Sequence, residues 1–197
     1  MKKYIVEFFG TFTLTLVVFI SIANELTMTP VIAMLTLGLF VYTIGHVSGC
    51  HINPAVTAGL LSIGKISVQD AAGYVVAQFA GAFAAMSIAT VMFAVPALDL
   101  TVDGGINIAL AEGLGMMLFT FGIASVVYGK AAEQMSGIVV GGSLLLGIML
   151  ATVASNGVLN PAVAFGIGSF NLMYLVGPVV GSIVGMQLYR ALCVSKA

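Results

Sequence analysis

The chain has 197 residues, of which 60% are apolar and only 7% charged, with six basic side chains against seven acidic ones. A soluble domain of this length needs a charged outer surface that so few ionic groups cannot supply, so most of its area must face lipid. The net charge of −1 and the lack of any basic run exclude nucleic acid as a partner and leave the bilayer.

The first apolar stretch runs over about 4–23. Lys2 and Lys3 ahead of it, with Ser21-Ile22-Ala23 behind, imitate a secretion signal. Glu7 interrupts the run, however, and the stretch is long enough to span, so it is read as a retained helix. Further spans are predicted over 31–49, 69–95, 106–128, 136–155 and 172–193. Two shorter apolar pieces, 54–63 and 161–169, cannot cross a bilayer core that needs roughly 20 residues of helix. Each is bounded by Gly, Asn and Pro, as suits a half-helix that enters from one face and stops.

Six spans put both termini on one side, together with Lys2, Lys3, Lys65, Lys130, Arg190 and Lys196. The opposite connections hold Glu25, Asp99 and Asp103 and no cation. By the positive-inside rule both termini are expected in the cytoplasm, with the chain in the cell membrane.

The chain also repeats itself. Glu7 through Gly10 matches Glu112 through Gly115, Gly73 through Gly81 matches Gly177 through Gly185, and Asn53-Pro54-Ala55-Val56 returns as Asn160-Pro161-Ala162-Val163. The offsets of 105, 104 and 107 residues belong to one duplication, with halves at about 1–98 and 105–197 of a single domain covering 1–197. Three spans per half force the halves to insert in opposite directions, which places a functional site at the midplane. The predicted fold is therefore all-α, with six transmembrane helices plus two re-entrant half-helices in an inverted repeat. Glycines at 177, 181 and 185, and at 137 and 141, mark helix faces for close packing in lipid.

Asn is a strong N-cap and Pro suits the first helical position, so each Asn-Pro-Ala by itself reads as an ordinary helix start. Two copies in equivalent places, each ahead of a piece too short to span, read differently. Opposed half-helices would meet near the membrane centre with both N-termini there, each carrying about half a positive charge. Cations are turned back, while a neutral molecule accepts hydrogen bonds from Asn53 and Asn160.

The segment GHVSGCHINPAV at 45–56, the second NPAV at 160–163 and the six spans resemble the major intrinsic protein family over essentially the whole chain. The resemblance implies a passive channel for small uncharged solutes, a homotetramer with one pore per protomer, and buried carboxylates at Glu7 and Glu112 that support the re-entrant loops. An intramembrane acid is expected to be paired or functional, and a proton relay through the two acids is the alternative. His51 is expected to support its loop, and a pH-gating role for His46 and His51 is the competing reading.

Most members carry an Arg three residues after the second motif's Asn, where this chain has Val163. Counting from the motifs puts the other constriction positions at Ala33, Ile148 and Gly157, with Met34 as the neighbouring choice for the first. Water-selective members typically place an aromatic and a histidine where Ala33 and Ile148 lie. The expected filter is wide, apolar and uncharged, and passes glycerol, urea or metalloid hydroxides as well as water. Ser155, Asn156 and Met149 are the side chains that would fill it in the contrary case. The alternatives are a metalloid or arsenical facilitator with little water selectivity, a proton-coupled secondary transporter, and a non-conducting adhesive protein. No nucleophile or paired-acid arrangement points to an enzyme, no cofactor is implied, and no ligand set for a metal is present. Cys50 and Cys193 have no metal or redox spacing and are expected as free thiols.

Overall fold

The computed structural model describes residues 1–102 and 105–194; Asp103 and Lys196 of the charge argument lie outside these. Six helices are long and apolar enough to cross a membrane. They are α1 (Lys2–Ala23), α2 (Thr29–Ser48), α4 (Val68–Ser87), α5 (Ile106–Val127), α6 (Ser136–Ala151) and α8 (Met173–Cys193), with short α3 (Pro54–Ser62) and α7 (Pro161–Gly166) between them. No strand occurs among the described residues. This is the all-α plan of six spans and two half-helices that hydropathy and the repeat predict.

Polarity is turned inside out relative to a soluble bundle. On α1, Glu7, Thr11 and Thr15 follow each other at every fourth position and are fully buried, whereas Ile5 and Phe9 face outward. Lipid accepts apolar side chains and penalises polar ones, so the hydrogen-bonding groups collect between helices.

Within the first half, α1 packs on α4 and α2; within the second, α5 packs on α8 and α6. The halves meet along α2 and α6, and each half-helix docks into the opposite half, α3 against α8 and α7 against α4 and α1. Close approach depends on glycine at the α5–α8 seam. A Cβ on Gly181 would strike the Gly113 carbonyl, and one on Gly177 the Ala109 carbonyl. Gly137 and Gly141 meet Gly38 and Met34 of α2 in the same way. The regular glycine spacing is thus a packing stripe.

Three helix ends differ from the hydropathy reading. The α-helical part of α4 stops at Ser87 and relaxes into a π turn over Ile88–Met92, short of Pro96, which disfavours helix in the residue before it. α6 ends at Ala151, four residues early, because the Ser155 hydroxyl is drawn to Glu112. α7 ends at Gly166, ahead of the left-handed turn at Gly168 (φ +74°). In each case the apolar run outlasts the helix.

The start of α1 and the end of α8 lie at one end of the bundle. Lys3 pairs there with Asp70 (2.7 Å), which also accepts from the Tyr4 hydroxyl (2.8 Å). Lys65 stands 4.9 Å over the Tyr128 ring, which stacks on Tyr189 beside Arg190. Glu25 and Asp99 lie at the other end, called distal below. Cys50 and Cys193 are both free.

Candidate functional site

Each half-helix is started by its asparagine. Asn53 Oδ1 accepts from Ala55 N (2.8 Å) and Val56 N (3.4 Å), and Asn160 Oδ1 accepts from Ala162 N (3.1 Å) and Val163 N (3.3 Å). Pro54 and Pro161 occupy the first helical position, and Ala55 and Ala162 behind them are fully buried. The two caps are also cross-linked. Asn53 Nδ2 donates to the Leu159 carbonyl (2.8 Å), and Asn160 Nδ2 donates to the Ile52 carbonyl (2.9 Å). Each carboxamide therefore keeps one N–H uncommitted among the described residues, and both asparagines line one cavity.

That cross-link requires an unusual backbone. Ile52 (φ +38°) and Leu159 (φ +54°) both sit in the left-handed region, as do Cys50 (φ +51°) and Gly157 (φ +63°). A β-branched or bulky residue there costs on the order of 1–3 kcal/mol and persists only when its surroundings insist on it. The buried carboxylates supply the insistence. Glu7 accepts from His51 N (2.9 Å), Ile52 N (2.6 Å), the Ser48 hydroxyl (2.6 Å) and Gln78 Nε2 (2.8 Å). Glu112 accepts from Val158 N (2.9 Å), Leu159 N (2.7 Å) and the Ser155 hydroxyl (2.7 Å). The loop N–H groups turn toward the acids, and the carbonyls of Ile52 and Leu159 turn toward the opposite asparagine.

His51 does two things. Its Nδ1 lies 3.1 Å from Thr57 Oγ1, its ring meets Tyr74 edge-on at 4.9 Å, and it also lines the cavity. The Thr57 hydroxyl donates to the Asn53 carbonyl (3.0 Å), so its one proton is taken and His51 Nδ1 is assigned as the donor. His46 is exposed on the last turn of α2 and takes no part in the lining.

The cavity measures about 300 Å³ and reaches from the paired asparagines toward the distal end. Ala33, Ile148, Gly157 and Val163 all line it. Met34 instead faces Gly141 in the α2–α6 seam, so the register falls on Ala33. Met149 points outward and the Ser155 hydroxyl is bound to Glu112, and neither lines the cavity; Asn156 does line it, with its amide held by Leu100 and Ser169. Among the described residues, no Asp, Glu, Lys or Arg is in the lining.

Sequence reasoning missed much of the wall, including Leu14, Leu37, Phe119 and Leu144. The duplication itself held the signal. An offset of 105 carries Leu14 to Phe119, and an offset of 107 carries Leu37 to Leu144. It also missed Leu100, which reaches the cavity from the connection between the halves.

Six spans around a cavity that two re-entrant caps share describe a membrane channel. Residues 1–189 match the major intrinsic protein family, and the chain belongs to that family. It is 30% identical to aquaporin Z of Rhodopseudomonas palustris over 97% of this chain and 93% of the relative. It is 32% identical to nodulin-26 of Glycine max, over 96% of this chain and 77% of the relative. Among solved structures, the aquaglyceroporin from Plasmodium falciparum superposes with a TM-score of 0.70 at 24% identity, covering 98% of this chain and 96% of that one. The fold is shared with that protein. The chain is thus a transmembrane channel for small solutes and not an enzyme.

Proposed function

We propose that the channel passes uncharged solutes larger than water, such as glycerol, urea or undissociated metalloid hydroxides, along with water. The observation that carries this reading is the makeup of the distal opening. Ala33, Ile148, Gly157 and Val163 offer neither a fixed charge nor a side-chain donor, so hydrated cations and polyols meet an apolar wall of small groups. Desolvated solutes recover hydrogen bonds at the paired asparagines, whose free N–H groups donate to them. Cation exclusion then rests on the facing starts of α3 and α7, where the positive ends of the two helix dipoles oppose positive charge. Both intramembrane acids are held by donors from the re-entrant loops and their neighbouring helices, and neither lines the cavity, which supports this passive mode over proton coupling.

On this reading the protein is a homotetramer with a pore in each protomer. It sits in the cell membrane with both termini in the cytoplasm, on the side of Lys3, Lys65, Lys130 and Arg190. The test is swelling of proteoliposomes in a series of neutral solutes. Linear, bidirectional flux of glycerol, urea and boric or arsenous acid is expected, with no effect of a protonophore. Fast water flux with complete rejection of glycerol would overturn the wide-filter reading, and saturable flux abolished by the protonophore would favour coupled transport.

A further inference from the structure

Ala33 and Gly157 bring one methyl and no side chain to the distal opening, so its width must be set by whatever else lines it. One lining residue comes from neither a membrane helix nor a re-entrant loop. Leu100 belongs to the connection between α4 and α5, and it is half-buried against the cavity.

A connection residue is normally a poor candidate for a fixed wall, since such segments are mobile. This one is held at both of its backbone polar groups. Leu100 N donates to the Gly168 carbonyl (3.2 Å), and its carbonyl accepts from Asn156 Nδ2 (2.7 Å). The residue before it closes a local turn, with Asp99 Oδ1 accepting from Thr101 N (3.2 Å) and Thr101 Oγ1 (2.6 Å). On the other side, Gly168 leaves no room for a Cβ against the Leu98 carbonyl, so the strand of chain lies directly on the turn after α7.

Asn156 is equally well anchored. Its backbone N donates to the Tyr174 hydroxyl (2.9 Å), and the second proton of its amide goes to Ser169 Oγ (2.8 Å). Both amide protons are therefore spent on holding other segments, while Asn156 itself, which also lines the cavity, is tied to α8. Additivity in the double variant below would mark a contribution of its own bulk rather than a clamp.

We infer that Leu100 is a fifth wall of the distal opening and sets the largest solute admitted, with Asn156 as the positioning residue that clamps it there. This rests on the conduction reading above and adds the element that limits it. The four positions counted from the motifs make the opening apolar; Leu100 makes it narrow. The solutes favoured are compact and rich in hydroxyl or amide groups, of about glycerol size, while longer polyols are held back by the isobutyl group.

The experiment has two arms. In proteoliposomes, the ratio of ribitol to glycerol flux is measured for the parent, Leu100→Ala, Leu100→Phe, Asn156→Ala and the Leu100→Ala/Asn156→Ala double variant. Leu100→Ala is expected at least to double the ratio and Leu100→Phe at least to halve it. Asn156→Ala should act like Leu100→Ala and add nothing in the double variant, which a merely structural defect would not reproduce. Parent flux with ratios unchanged in both Leu100 variants overturns the size limit alone, whereas a parent that passes no neutral solute overturns it together with the conduction reading.

The second arm does not depend on flux. Leu100→Cys is placed in a Cys193→Ala background and labelled with a membrane-impermeant maleimide, with the Cys193→Ala protein, whose remaining Cys50 is buried, serving as blank. Adding Asn156→Ala is expected at least to double the labelling rate. Equal rates overturn the clamp.

Discussion

In the first re-entrant loop Glu7 takes four hydrogen bonds, one of them from Gln78 of α4, and in the second Glu112 takes three. Where the first has His51 and Thr57, the duplication puts Val158 and Ala164 in the second. The first half-helix has nine residues and the second six. The two copies thus keep the same asparagine cross-link and the same strained backbone but divide the remaining work. The loop nearer the termini is held by a polar network that runs from Glu7 through Gln78 and Thr57 to His51. The distal loop is held more lightly, and it lines the opening to which solute selection is assigned in the proposal above. Duplication followed by divergence leaves the asparagine cross-link symmetric and the lining of the distal opening one-sided.

Removing the acids tests that asymmetry most severely. Glu7→Ala strands two loop N–H groups and the Ser48 hydroxyl in a site with no exposure, and leaves the Gln78 amide with Thr57 alone. At about 1–3 kcal/mol for each orphaned buried group, the variant is expected not to assemble, as read by thermal unfolding and size-exclusion in detergent. Glu112→Ala strands one fewer and should be the milder lesion. Equal losses would show that the fourth bond to Glu7 carries no weight.

Val163→Arg comes next and addresses the distal loop alone. It inserts a bulky cation into the wall beside Ala33 and Gly157, and glycerol flux is expected to drop about tenfold or more while water flux persists. Identical flux in parent and variant would remove Val163 from the opening.

The asparagines probe what the two copies share. Asn53→Ala and Asn160→Ala each lose a cap of about 1 kcal/mol and one cross-link. Because each cap holds the loop that carries the other, the double variant should depart from the sum of the singles by about 0.5–3 kcal/mol in unfolding measurements. Strict additivity would mean that the caps act independently.

How much of this was legible beforehand depends on the solvent. Six spans and two half-helices followed from hydropathy and the Asn-Pro starts, because lipid demands length and an unbroken apolar run. Helix ends did not follow: α6 stops at Ala151 for the sake of a hydrogen bond between Ser155 and Glu112, and an apolar count is blind to that. The pore wall was only partly visible. In lipid the outward face of a helix is as apolar as the face toward a wide pore, so Leu14, which lines the cavity, and Leu16, which does not, carry the same hydropathy. Motif counting reached Ala33, Ile148, Gly157 and Val163 because those positions lie at set distances from the asparagines. Leu100 has no such anchor, and only its contacts with Asn156 and Gly168 reveal where it goes.

The smallest expected effect belongs to His51→Val, which makes the first loop resemble the second at this position. The ring contributes one hydrogen bond to Thr57, worth about 1 kcal/mol, and an edge contact with Tyr74. Its Nε2, an acceptor in the assigned tautomer, lies in the direction of Gly49, where even a Cβ would stand only 3.3 Å away. The titratable groups around it are Glu7, which is bound to the backbone of His51, together with Tyr74 and Cys50, so no carboxylate faces the ring nitrogens. A buried imidazole without an anionic partner stays neutral, since charging it would cost more than any neighbour returns. Glycerol flux should accordingly fall by less than about twofold in the variant and be the same in parent and variant at about pH 5 and pH 8, the range where a free imidazole titrates. Parent flux that changes over that range, with a flat profile in His51→Val, would show that the first loop carries a proton-sensitive group the second one lacks.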